Sequence, residues 1–186
     1  MRLFIALPLP ERVRAALGAL QGALAASRAD VKWVEPENLH FTLKFLGELP
    51  DAQVSAIADT VTQVARQVRP FSLGLGGLGG FPSAAAPRVI WVAAADGRDA
   101  LAKMAARLEA AGGELAWPRE ARPFSAHLTI GRVRSPRGRS ALVQAMREAA
   151  WRPPPAWDAD RVQLYQSRLS AAGPRYASLA DVRLAG

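Results

Sequence analysis

Two short segments of this chain share one four-residue form. His40-Phe41-Thr42-Leu43 and His127-Leu128-Thr129-Ile130 both read histidine, apolar, threonine, apolar. The chain holds two histidines in all, and its threonines stand only at positions 42, 60, 62 and 129. On a β-strand, residues i and i+2 project from the same face. Each imidazole would therefore share a face with a hydroxyl, while Phe41 and Leu43, or Leu128 and Ile130, enter the core. One such pair is the ordinary pattern of a core histidine satisfied by a neighbour. Two equivalent pairs, with no histidine elsewhere, point to a paired task. An imidazole titrates near pH 6.5, so one ring can be neutral while the other is protonated. That is the condition for a general base and a general acid working together. With threonine hydroxyls and an arginine to hold an anion, the pair suits hydrolysis of a phosphodiester without metal. The neutral ring takes a proton from water and the charged ring gives one to the leaving oxygen. The symmetry of the motifs leaves open which histidine plays which part.

The elements that must carry these motifs repeat as well. Arg2 to Leu7 reads as a strand, and Pro10-Glu11 opens a helix on which Val13, Leu17, Leu20 and Leu24 form one face. Val31 to Val34 is extended. In Leu39 to Leu46, alternation sends Phe41, Leu43 and Phe45 one way and His40, Thr42 and Lys44 the other. Asp51 caps a second helix with Val54, Ile57, Val61, Val64 and Val68 inward, and Phe71 to Leu78 reads as a further strand. An offset of 87, the separation of the histidines, carries the strand at 3–7 onto 90–94 and the first helix onto 97–113. It carries the second helix onto the segment from 138. Residue identity between the halves is low, but the order strand, helix, histidine strand, helix recurs, as a duplication would leave it. Arg161 to Leu169 and Tyr176 to Leu184 read as closing strands after Pro153-Pro154-Pro155 ends the last helix.

Length and composition bound the answer. The chain has 186 residues, half of them hydrophobic and 22% charged, which suits one domain with a real core. Its formal net charge is +8, and Lys32, Lys44 and Lys103 are the only lysines among 24 basic residues. An arginine-rich surface suits phosphate, because guanidinium offers a planar fork of donors; genomic base composition is the bland alternative. Cysteine is absent, which removes disulfides, thiolate metal sites and cysteine nucleophiles. Two histidines cannot make a three-histidine metal centre. The apolar run from Leu3 to Pro10 is interrupted by Pro8 and followed by Glu11 and Arg12, far short of the roughly 18 residues a membrane span needs. A soluble, cytoplasmic protein without a signal peptide is expected.

The motifs with their flanks resemble a known family. The segments are Arg2-Leu-Phe-Ile-Ala-Leu7, the run from Trp33 to Gly47, Arg122-Pro-Phe-Ser-Ala-His-Leu-Thr-Ile-Gly-Arg132 and Leu164-Tyr-Gln-Ser-Arg-Leu169. Together they are similar to the two-histidine (2H) phosphoesterases, in the branch of RNA 2′,3′-cyclic phosphodiesterases, also called 2′–5′ RNA ligases. The resemblance covers nearly the whole chain. It implies an α/β (α+β) fold of two pseudo-symmetric lobes, each an antiparallel sheet with outer helices, and a cleft between them. Residues 1–186 would form one domain with repeat lobes at roughly 1–80 and 88–186. It implies hydrolysis of RNA 2′,3′-cyclic phosphate ends to 2′-phosphomonoesters with no metal or other cofactor. By motif position, His40 would be the proton donor, His127 the proton acceptor, and Thr42, Thr129 and Arg132 the phosphate ligands. The implied partner is RNA with a cyclic-phosphate end, tRNA halves included, met by a monomer away from membranes. Ligation of a 2′–5′ bond by the reverse reaction, and a non-catalytic RNA- or nucleotide-binding module, are the alternatives. A module of the second kind could spare a histidine or a threonine, and here all four are present.

Alternation sets Arg132 on the face opposite His127, and Gly131 is where a bulge or strand end could turn it back. Gly74-Leu-Gly76-Gly77-Leu-Gly79 formally matches a dinucleotide fingerprint, but Gly80, Phe81 and Pro82 follow where a helix would have to begin. Trp33, Phe4 and Tyr165 are candidates to stack on a base, with core packing as the alternative for each. The basic loop Arg134 to Arg139 is a candidate contact for an RNA backbone, or a solvated turn.

Overall fold

Leu3, Phe4, Ile5, Ala6 and Leu7 are all at most 3% exposed, so the first strand, β1 (Arg2–Pro8), is covered on both faces. Its continuous apolar run is the pattern of a central strand. The computed structural model describes residues 1–115, 117–170 and 173–186. After β1 come α1 (Glu11–Ala25), β2 (Val31–Trp33), β3 (His40–Glu48), α2 (Val54–Ala65), β4 (Phe71–Leu73) and β5 (Leu75–Phe81). Then follow β6 (Val89–Ala94), α3 (Arg98–Gly112), β7 (His127–Val133), α4 (Arg139–Glu148), β8 (Trp157–Ala159), β9 (Arg161–Ser170) and β10 (Gly173–Arg183).

Two four-stranded antiparallel sheets make the two lobes. One has the order β10-β9-β1-β3 and carries His40; the other has the order β2-β7-β6-β5 and carries His127. A small third sheet pairs β4 with β8. The mixed α/β class and the outer helices agree with the expectation. α2 and α3 cover the first sheet, and α1 lies on β7 beside α4 on the second. The helical faces read from the sequence are the buried ones: Val13, Leu17, Leu20 and Leu24 in α1, Ile57, Val61 and Val64 in α2, and Leu101, Met104, Ala105 and Leu108 in α3. Each helix is amphipathic, and its stability comes from packing that stripe on a sheet.

Several expectations need correction. The sequence repeats are not the spatial lobes. β2 and β5, from residues 1–81, complete the sheet of His127, while β9 and β10, from the end of the chain, complete the sheet of His40. Each sheet also takes one helix from each half, because α1 follows a strand of the first sheet and packs on the second. Neither half could bury both faces of its own strands alone. The single strand expected over 71–78 is two strands in two sheets, β4 and β5, separated at Gly74. Asp51 makes no side-chain cap. It begins a short 3-10 turn, and its carboxylate lies 3.5 Å from the terminal ammonium. The glycine-rich run forms β5 rather than a phosphate loop. Gly79 is needed there for close approach, since a Cβ would collide with the indole of Trp91. Among the described residues, no helix is long and apolar enough to cross a membrane.

Candidate active site

The two histidine strands share a defect that decides the site. Along β3, His40 faces Pro8 and Thr42 faces Ala6, but then Lys44 faces Ile5 and Phe45 faces Phe4. Leu43 is an extra residue, a β-bulge. Along β7, His127 faces Ala93 and Thr129 faces Trp91, and then Gly131 faces Ile90 and Arg132 faces Val89. Ile130 is the extra residue. The bulge stands directly after the threonine in both motifs. A bulge re-aims every side chain beyond it by one face. Val89, Trp91 and Ala93 share a face of β6, so Arg132 returns to the side of His127 and Thr129. The face that plain alternation gave Arg132 is therefore corrected. β3 is corrected in the same way: Phe45 joins His40 and Thr42 and is 55% exposed, while Lys44 turns inward and is 2% exposed. Lys44 donates to a Glu109 carboxylate oxygen at 2.5 Å and to the carbonyl of Pro118, as a buried cation must be paired.

The bulge in β7 is held from behind. The side-chain amide of Gln21, buried in α1, donates to the carbonyls of Val34 and Ile130, each at 2.8 Å, and the backbone N–H of Val34 also donates to Ile130 at 3.0 Å. The Ile130 carbonyl, out of step with β6, is satisfied by these partners. Gly131 must lack a side chain, because a Cβ would stand 2.9 Å from both Val31 and Trp33.

Both imidazoles are oriented alike. Nδ1 of His40 lies 2.6 Å from the carbonyl of Asn38, and Nδ1 of His127 lies 2.8 Å from the carbonyl of Ser125. A carbonyl can only accept, so each Nδ1 carries the proton. That leaves Nε2 as a bare base in the neutral ring and as a donor in the charged one. Among the described residues no protein group bonds either Nε2. The Asn38 that sets His40 is itself fixed by its side-chain amide, which donates to Pro174 at 2.9 Å. Burial lowers the pKa of His40 to about 4, against the bond to Asn38, which raises it. The His127 pKa is lowered too, first by burial, against the Ser125 bond, and further by the positive charge of Arg132. Both shifts favour the neutral rings, and an anion placed beside them would favour their charged forms.

Aromatic rings back each histidine. Phe4 stacks on His40 with centroids 4.8 Å apart, Tyr165 stacks on Phe4 at 5.1 Å and lies 6.1 Å from His40, and Tyr176 stands edge-on to His40 at 5.4 Å. In the other lobe Phe81 stands edge-on to His127 at 5.0 Å. The Arg132 charge acts both on His127 and on the Tyr176 hydroxyl, and the two histidine strands, β3 and β7, lie against each other. Thr42 and Thr129 are half-buried on those faces and Arg132 is exposed. Within each lobe the histidine and threonine share one strand face, and on β7 Arg132 joins them.

The expected base-stacking residues fare differently. Phe4 is 3% exposed and in contact with His40, Tyr165 and Tyr176, so it has no open face and belongs to the packing behind His40. Trp33 is half-buried beside Gly131. Tyr165 is half-buried and its hydroxyl donates to Gln163. The rings open to the cleft are ones the sequence reading missed: Phe45, assigned to the core, and Phe81, 37% exposed against His127. Only the bulge reveals Phe45. The backbone of the 134–139 loop is pinned by Asp30, which bonds both Arg134 and Arg137.

Comparison with known proteins agrees with this geometry. The family model described as LigT like Phosphoesterase matches the chain twice, over residues 7–91 and 92–176. The RNA 2′,3′-cyclic phosphodiesterase of Methanothermobacter thermautotrophicus is 33% identical over 184 residues, 99% of either chain. The Thermus thermophilus protein of the same name is 35% identical, spanning 100% of this chain and 91% of that one. Among solved structures, a Thermus thermophilus protein superposes with a TM-score of 0.83 at 32% identity, covering 100% of this chain and 99% of that one. E. coli LigT complexed with 3′-AMP does so with a TM-score of 0.75 at 26% identity, covering 100% and 98%. With a matching model over each half and full-length relatives above 30% identity, the chain belongs to the LigT-like phosphoesterases.

Proposed function

We propose that this chain hydrolyses the 2′,3′-cyclic phosphate at the 3′ end of an RNA to a 2′-phosphomonoester, by acid–base catalysis between its two histidines and without metal. The observation that carries the reading is the matched pair of Nδ1 bonds to Asn38 and Ser125, which leaves both Nε2 atoms free for proton transfer. The relatives' name supplies the substrate class.

In this reading Thr42, Thr129 and Arg132 hold the non-bridging phosphate oxygens. Water attacks phosphorus while Nε2 of neutral His127 takes its proton. The bond from phosphorus to the 3′ oxygen breaks, and Nε2–H of charged His40 protonates that oxygen. The products are a 2′-phosphate and a 3′-hydroxyl. Arg132 beside His127 disfavours its charged form and suits the base. Burial favours the neutral form of His40, so its protonation is coupled to arrival of the anionic substrate. The exchange of strands between the halves supports reading residues 1–186 as one catalytic domain.

The test is product analysis on an RNA ending in 2′,3′-cyclic phosphate, incubated with a chelator in excess. A 2′-phosphate is expected. A 3′-phosphate product, or activity abolished by chelation, refutes the mechanism.

A further inference from the structure

Beyond the histidines, the cleft face of the first sheet carries a row of polar side chains that the proposed reaction does not use. Arg2, Ser167 and Tyr176 lie side by side on β1, β9 and β10, since Ser167 faces Arg2 on one side and Tyr176 on the other. Neighbouring strands stand about 4.8 Å apart, so the three form one short transverse row. They share the face of Phe4 and Tyr165, the next row along, which in turn backs His40. Arg2 is exposed, and among the described residues no carboxylate pairs with it. Glu48, opposite Arg2 on β3, lies 3.9 Å from the terminal ammonium instead. Ser167 and Tyr176 are half-buried, and among the described residues neither hydroxyl has a hydrogen-bond partner. Burial raises the pKa of Tyr176, and the charges of Arg132 and Arg2 work against it. That hydroxyl therefore keeps its proton and can donate. Arg2 stands two residues, about 7 Å, along β1 from the Phe4 that backs His40. Arg2 thus lies one row beyond the ring that stacks on His40, on the same sheet face.

We infer that Arg2, Ser167 and Tyr176 form a second phosphate subsite, which takes the internucleotide phosphodiester next to the cyclic end. The enzyme then prefers oligoribonucleotide ends to cyclic mononucleotides. This rests on the function proposed above and adds a length and charge requirement to it.

The test compares kcat/KM on three probes: 2′,3′-cyclic AMP, a trinucleotide ending in 2′,3′-cyclic phosphate, and the same trinucleotide with a neutral methylphosphonate at its last internucleotide link. The native enzyme should prefer the charged trinucleotide over both others by about tenfold, the worth of one charge-assisted contact. Arg2→Gln should erase that preference, and Tyr176→Phe should reduce it. Arg2→Gln should also lower the salt dependence of trinucleotide turnover by about one phosphate contact, and Arg2→Lys should restore it. Turnover of all three probes with no regard to linkage charge overturns the subsite alone. So does an Arg2→Gln loss that is equal on all three. Failure of the native enzyme on every probe overturns the underlying function as well.

Discussion

Replacing His40 with glutamine should change how stability depends on pH, by an amount the structure sets. In the unfolded chain His40 titrates near 6.5; in the fold, burial brings it to about 4. Between those values the unfolded state binds more protons than the folded one. Stability therefore falls as pH drops from 6.5 to 4, is unaffected by this group above that window, and carries the full penalty below it. At about 1.4 kcal/mol per pH unit, the gap amounts to about 3 kcal/mol. Urea unfolding of the native chain and of His40→Gln at pH 7 and at pH 4 measures it. The native chain should lose about 3 kcal/mol more than the variant. With only two histidines, ring-proton NMR can follow both, and each variant assigns one signal. His40 should titrate well below the ordinary value and His127 below it as well, and added phosphate should raise both. Parallel pH profiles in native and variant, or a His40 signal titrating at 6.5, would refute the reasoning, because the ring would then be solvated.

Three further outcomes follow from the geometry. His40→Ala and His127→Ala should each lower turnover about 10²- to 10⁴-fold with unfolding curves retained at pH 7, and the native pH–rate profile should be bell-shaped, since one ring must be neutral and one charged. Arg132→Ala should lower kcat on a cyclic phosphate about 10²-fold, and Arg132→Lys should restore it only in part, because ammonium lacks the planar fork; steady-state kinetics on 2′,3′-cyclic AMP reads both. Gln21→Leu leaves the Val34 and Ile130 carbonyls short of a donor and should cost about 1–3 kcal/mol in urea unfolding, with a loss of activity as the β7 bulge relaxes and Arg132 turns from the cleft.

Much of the fold and the reactive pair was legible in the sequence because it depends on short-range periodicity. The spacing of two residues between His40 and Thr42, and between His127 and Thr129, places imidazole and hydroxyl on one strand face wherever the strand lies in space. The 3- and 4-residue steps of Val13, Leu17, Leu20 and Leu24 choose the buried side of α1 with equal independence. Arg132 could be connected to phosphate through its family resemblance, yet its face could not be read, because a bulge arises from how one strand pairs with its neighbour. The same holds for Phe45 and Lys44, which the Leu43 bulge exchanges between cleft and interior.

What the sequence alone determined is therefore the local chemistry: two imidazole–hydroxyl pairs on strands, amphipathic helices, and a basic chain suited to phosphate. Tertiary structure decided the rest. It traded strands between the halves, so that β9 and β10 back His40 and β2 and β5 flank the sheet of His127. It set both rings with Nδ1 bound and Nε2 free, and it turned Arg132 into the cleft. These are properties of non-local pairing, where partners far apart in the chain fix register, burial and charge together, and no single segment carries that information.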